Sequence, residues 1–134
     1  MSPDDLNAVR ELYEAYNRGD YDQATAMLHE DVELQQWGAA PDADVYVGRE
    51  AFVRGIVRWV SSFEPGFQYV PEDLIDGGER VMVRVVLRGR GRESGIDLEQ
   101  VVWQVWEVRD GSPWKVIVFS DEAAAREAAG LSPA

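Results

Sequence analysis

The chain has 134 residues, 46% hydrophobic and 28% charged, with no cysteine and 25 acidic against 13 basic side chains, a formal charge of −12. A domain of this size buries a core without staples, and without cysteine there are no disulfides, thiolate nucleophiles or cysteine-held metals. A surface this negative repels phosphate backbones, so no nucleic-acid partner is expected, and with no apolar run near the ~18 residues of a membrane span, no membrane partner is expected either.

The opening MSPDDLNAVR is acidic where a signal peptide is basic, which with the missing cysteine points to the cytoplasm. Ser2 can cap a helix that begins at Pro3, and Asp4 and Asp5 suit its positive end. Leu6, Val9, Leu12, Tyr13 and Tyr16 recur at helical spacing until Gly19 ends the run. A shorter helix restarts in DYDQATAMLHE, capped by Asp20, with Ala24, Met27 and Leu28 facing inward. His29, the only histidine, falls at its end, where a surface imidazole suits the helix dipole. One histidine without cysteine makes no transition-metal site, and no cofactor is expected.

DVELQQW alternates Val32, Leu34 and Gln36 against Glu33, Gln35 and Trp37 and reads as a strand. A loop follows, with a short extended piece at Val45–Val47. REAFVRGIVRWVSSF is a third helix, so apolar that most of its circumference should be covered. After Pro65 and Gly66 the chain reads as strands to residue 120: two joined by a turn at Asp76-Gly77-Gly78, and two more around Arg109–Pro113. DEAAAREAAG is a short closing helix, with Asp121 as cap and Gly130 as stop. Helices first and a long antiparallel meander afterwards give an α+β domain with helices on one face of a sheet.

Between Leu98 and Val108 both strand faces are apolar, although an antiparallel sheet with one wet face should alternate cleanly. The second face is expected to be covered by a second copy of the chain, in preference to its own C-terminal tail. Arg84 and Arg88 are expected to pair across strands with Glu99 and Glu107 on the outer sheet.

Three stretches, LYEAYNRGDYDQATAMLHEDVEL, VYVGREAFVRGIVRWV and WEVRDGSPWKVIVFSDEAAAREAAGL, resemble in order and spacing the SnoaL-like branch of the nuclear transport factor 2-like (ketosteroid isomerase-like) superfamily. The resemblance runs along nearly the whole chain and implies one domain over 1–134. It implies a cone-shaped fold, a strongly curved, mostly antiparallel sheet wrapped around the three N-terminal helices, and a homodimer through the outer sheet face. The branch includes ketosteroid isomerases, polyketide cyclases, dehydratases, epoxide hydrolases and proteins that only bind, so fold does not settle function.

An isomerase of this family needs a carboxylate base, a tyrosine and a protonated aspartic acid. By the resemblance these positions carry Gln36 (or Gln35, one residue off), Leu12 beside Tyr13, and Val102. A carboxamide takes no proton near neutral pH, so that mechanism is disfavoured. The cyclases resemble the chain more closely at its end, where they carry an acid near Asp121. Asp121 also suits a helix cap, and Trp103 and Gln104 stand where the cyclases' supporting histidine would be. The candidates for proton transfer are therefore Asp121, Tyr13 and Tyr16.

If the cone is right, Trp37 and Tyr46 stand around its mouth. Phe52, Ile56 and Trp59 line it from the third helix, and Val83, Val85, Gln100, Gln104, Ile117 and Phe119 from the sheet. Such a wall suits a small, flat hydrophobic molecule, a carbonyl or polycyclic compound held by neutral hydrogen bonds. Three readings stand: an enzyme moving a proton on that molecule, a non-catalytic binding module, and a dimeric interaction module with a filled cone.

Overall fold

The computed structural model describes residues 1–36 and 44–132; Trp37, expected at the mouth of the cone, lies outside them. Helix α1 (Pro3–Asn17) begins where Ser2 Oγ accepts the Asp5 N–H at 3.1 Å, and the chain leaves it through Gly19 at φ 75°. In α2 (Tyr21–Met27) the cap is Asp20, which accepts the Gln23 N–H at 3.1 Å. Strands β1 (Glu33–Gln35) and β2 (Val45–Val47) precede α3 (Arg49–Val60). Then come β3 (Gln68–Asp76), β4 (Arg80–Arg90), β5 (Asp97–Arg109), β6 (Ser112–Phe119) and α4 (Glu122–Ala129). Asp110 and Gly111 turn β5 into β6 with φ of 53° and 77°, the left-handed pair that a two-residue hairpin requires.

The sheet order is β2-β1-β6-β5-β4-β3, with β1 parallel to β6 and every other pair antiparallel. It is an open, mixed, curved sheet. The register slips between Pro71 and Asp73 and between Glu107 and Val108, irregularities that bend and twist a strand pair. Helices α1, α2 and α3 pack into its inner face around Val9, Leu12, Leu28, Leu34, Phe52, Val83, Val85 and Val102. No helix among the described residues is long and apolar enough to cross a membrane.

On the outer face α4 lies over Met82, Val105 and Phe119 through Ala125 and Ala129. At Val105 the second apolar face of β5 is thus covered by the chain's own tail and not by a second copy. Val101 and Trp103 on the same face are half-buried. Beside them Arg88 pairs with Glu99 at 3.6 Å and Arg80 with Glu107 at 3.7 Å, while Arg84 turns to Glu72 on β3. The cross-strand pairs form as the register dictates, with Arg84 choosing the neighbour on its other side.

Helix α3 departs from expectation. Only Phe52 and Gly55 are buried, and Val57 is 48% exposed. The helix packs against β1 and β2 and, through Trp59, against the rings of Phe67 and Tyr69, while Ile56, Val57 and Val60 border a groove described below.

Candidate ligand site

Two short links hold the inner end of α1 against the sheet. The Asn17 carboxamide donates to the Tyr69 carbonyl at 2.7 Å and accepts the Tyr69 N–H at 2.9 Å, clamping α1 to β3 by backbone and fixing Tyr16 beside Tyr69. Their rings lie 6.2 Å apart. One turn earlier, Tyr13 Oη accepts the Trp106 indole N–H at 2.9 Å and donates to Gln104 Oε1, and its ring meets Trp106 edge-on. Trp59, Phe63, Phe67 and Tyr69 pack ring against ring. A glycine on β4 admits them: a Cβ at Gly89 would stand 2.4 Å from the Phe67 ring.

The three interior phenols differ in one respect. Tyr13 both accepts and donates, whereas the hydroxyls of Tyr16 and Tyr69 are buried with no hydrogen-bond partner among the described residues. Burial pushes all three phenols well above the ordinary tyrosine range, so each stays protonated and acts as a donor. Mutual proximity of Tyr16, Tyr21, Tyr69 and Tyr13 adds a smaller push in the same direction.

These groups bound two adjoining cavities. One, about 30 Å³, is lined by Leu12, Tyr13, Tyr16, Leu34, Phe52, Ile56, Tyr69, Gln104, Trp106 and Val116. The other, about 40 Å³, is lined by Leu34, Gln36, Ile56, Trp59, Tyr69, Leu87, Val102, Gln104 and Val118. With ~10–15 Å³ needed per water, each takes about two or three waters or the head of a small molecule. Among the described residues neither lining contains a carboxylate, a histidine or a cation. Tyr16 and Ile56 also border a larger surface groove of about 410 Å³ between the C-terminal end of α1, α3 and the start of β3.

Of the residues singled out in the sequence, the structure brings Tyr13, Tyr16, Phe52, Ile56, Trp59 and Gln104 to these cavities. The three positions matched to an isomerase's machinery, Leu12, Gln36 and Val102, also face them, and none of the three ionises. Others go elsewhere. Ile117 and Phe119 lie on the outer face under α4, and Val116 and Val118 take the inner positions. The pairing of Gln104 with Val118 and of Trp106 with Val116 carries that information, since directly opposed residues share a face; the slip at Glu107/Val108 defeats counting from the turn. Tyr46 packs flat on Gly55, which a Cβ would approach to 3.1 Å, and lines neither cavity. Gln100 shares the inner strand face but sits beyond both, opposite Leu87.

Asp121 is an exposed cap, accepting the N–H groups of Ala123 at 3.2 Å and Ala124 at 3.3 Å. His29 lies past the end of α2, its Nδ1 accepting the Asp31 N–H at 3.0 Å, away from the cavities. Tyr69 was missed by sequence reasoning. Its strand reads as an ordinary edge segment, and nothing local shows that its hydroxyl goes unpartnered.

A model of the SnoaL-like domain family matches residues 9–116. No curated protein matches the chain. Among solved structures it is similar to a nuclear transport factor 2-like protein of unknown function from Burkholderia pseudomallei, 25% identical over 95% of this chain and 97% of that one, with a TM-score of 0.74. It is also similar to a candidate polyketide cyclase from Xanthomonas campestris pv. campestris, 27% identical over 87% of this chain and 89% of that one, TM-score 0.69. TerC, co-crystallised with polyporic acid, shares the fold at 18% identity over 94% and 98% of the two chains, TM-score 0.74.

Proposed function

The chain belongs to the SnoaL-like domain family, and from that premise we propose that it binds a small, largely apolar molecule through an acceptor oxygen, a carbonyl above all, placed between the Tyr16 and Tyr69 hydroxyls. The observation that carries this reading is the pair of buried, unpartnered phenols on one cavity wall. A buried hydroxyl without a partner forfeits about 1–3 kcal/mol of hydrogen bonding. A ligand oxygen recovers that loss, and an apolar ligand does not.

The chemistry available is donation. Two neutral O–H groups in a largely apolar wall polarise a carbonyl and stabilise negative charge that builds on its oxygen. The described linings offer no base to match them, so Tyr13 serves to position Gln104 and Trp106, and Asp121 serves the fold. Similarity to a candidate polyketide cyclase supports a carbonyl-bearing ligand. Binding with carbonyl polarisation is therefore favoured over cyclase-type or isomerase-type proton abstraction.

The test uses benzylacetone, which carries a small acetyl head, and the isosteric alkene in which a methylene replaces the ketone oxygen. Binding is read from the indole N–H signals of Trp106 and Trp59. The ketone is expected to bind about fivefold or more tighter than the alkene, a preference of about 1 kcal/mol that is lost in Tyr16→Phe/Tyr69→Phe. Equal binding of ketone and alkene sinks the proposal.

The homodimer belongs here as well: two copies meeting on the outer face beside α4, through Val101 and Trp103, both half-buried within one chain. Light scattering checks it, and a monomer at high micromolar concentration rules it out.

A further inference from the structure

The interior cavities are far too small for a whole ligand of ordinary size, which occupies roughly 300–1,000 Å³, whereas the adjoining groove of about 410 Å³ falls in that range. Tyr16 and Ile56 line both, so the groove adjoins the place where the head of a ligand would reach Tyr16. The groove wall is apolar where the body would lie: Tyr21 and Val57, at 39% and 48% exposure, are two of the few large hydrophobic side chains left open among the described residues, and both line it.

Its rim is cationic. Arg18 and Arg92 border the groove, and among the described residues neither guanidinium is in an ion pair. Arg92 is oriented by its own Nε–H, which donates to the Ser61 carbonyl at 3.0 Å and leaves the terminal N–H groups unspent. The one carboxylate on the rim, Glu64, is taken by Arg90 at 3.8 Å. On a chain with a formal charge of −12, these two guanidinium groups border one apolar groove with no acidic partner among the described residues, which leaves them open to an anion.

We propose that the ligand is an amphiphile: an oxygen-bearing head inside the cone at Tyr16 and Tyr69, an apolar body along Tyr21 and Val57, and a terminal carboxylate between Arg18 and Arg92. The inference rests on the reading of the interior given above and adds the anionic end. Guanidinium groups suit a carboxylate because their paired N–H donors match its two oxygens. Exposed pairs of this kind are worth little singly, so the expected gain is modest.

The experiment compares para-carboxybenzylacetone with its methyl ester on the full chain. The acid is expected to bind about fivefold to tenfold tighter than the ester. The ratio should fall towards one as salt rises and in Arg18→Gln and Arg18→Gln/Arg92→Gln, with circular dichroism confirming that the variants fold. Equal affinity of acid and ester, or a preference for the acid that survives both substitutions, overturns the anionic end. If the two then bind equally and both lose affinity in Tyr16→Phe/Tyr69→Phe, the interior reading stands without it. Failure of acid and ester alike to bind at millimolar concentration overturns both.

Discussion

On the outer face of β4 and β5, Arg80, Arg84 and Arg88 each meet a glutamate, and beside them Asp121 accepts two backbone N–H groups at the start of α4. On the inner face the polar atoms are fewer and uncharged, and among the described residues the Tyr16 and Tyr69 hydroxyls have no hydrogen-bond partner. Charges that water can reach are paired at little cost or gain, so their pairing says nothing about function. A neutral buried hydroxyl without a protein partner adds nothing to stability by hydrogen bonding within the fold, and calls for another explanation. The Trp103 indole N–H is the outer face's own unpartnered group, but no cavity among those described opens onto it. What separates the inner phenols is that both residues line a cavity.

The widest test sets Tyr13 against its neighbours. Tyr13→Phe strands the Trp106 N–H and the Gln104 oxygen together, and should cost about 2–3 kcal/mol in urea unfolding. Tyr16→Phe and Tyr69→Phe remove hydroxyls that bond to nothing, and should leave stability unchanged or raise it by up to about 1 kcal/mol while abolishing the preference for ketone over alkene. A comparable loss in all three variants would show that Tyr16 and Tyr69 have partners in solution, and the distinction would collapse.

Alkaline titration sharpens the same contrast. Burial raises the three phenols above their ordinary value of about 10, so the folded state holds protons that the unfolded chain gives up. Their contribution is complete below about pH 10 and is lost as pH rises beyond it. Unfolding free energy should therefore fall above about pH 10, and less steeply in Tyr16→Phe/Tyr69→Phe than in the parent. Parallel curves would mean that these phenols ionise without unfolding the protein, hence that water reaches them.

Much of the fold was legible because it is written locally. Ser2, Asp20 and Asp121 cap where their side chains can reach back to the helix, Val45–Val47 is a strand, and Asp110-Gly111 turns because both residues tolerate a positive φ. The site was legible on α1 and α3, where helical spacing fixes which residues share a side: Tyr13, Tyr16, Phe52, Ile56 and Trp59 all reach the cavities. It failed on β6, where one residue of register exchanges faces and sends Ile117 and Phe119 outward. The cover over Val105 depended on where the tail folds back, and the excess apolar surface of α3 became a groove instead of core. Neither outcome is encoded in spacing. Partnerlessness, the property that marks Tyr16 and Tyr69, is a fact about three-dimensional neighbours and has no sequence signal.

Asp121 offers a smaller and cleaner test of the outer region. Asp121→Ala removes the oxygens that hold the Ala123 and Ala124 N–H groups and should cost about 1 kcal/mol, while Asp121→Asn, which caps nearly as well, should stay close to the parent. Benzylacetone binding should be the same in both. A loss of binding in the asparagine variant at full stability would move Asp121 from cap to site and undo the division between the faces.

The smallest effect is expected from the outer ion pairs. Arg88 Nε and Glu99 stand 3.6 Å apart with side chains 49% and 67% exposed, so ordering two long chains offsets most of a screened attraction. A double-mutant cycle with Arg88→Gln and Glu99→Gln should give a coupling of no more than about 0.5 kcal/mol, vanishing at high salt. The neighbouring pairs Arg80–Glu107 and Arg84–Glu72 share the same face, and a coupling above about 1 kcal/mol that persists in salt would mean the three act as one network. The outer face would then be a stabilising lattice in its own right, and the contrast with the inner phenols would be one between two built surfaces, only one of which encloses space for a ligand.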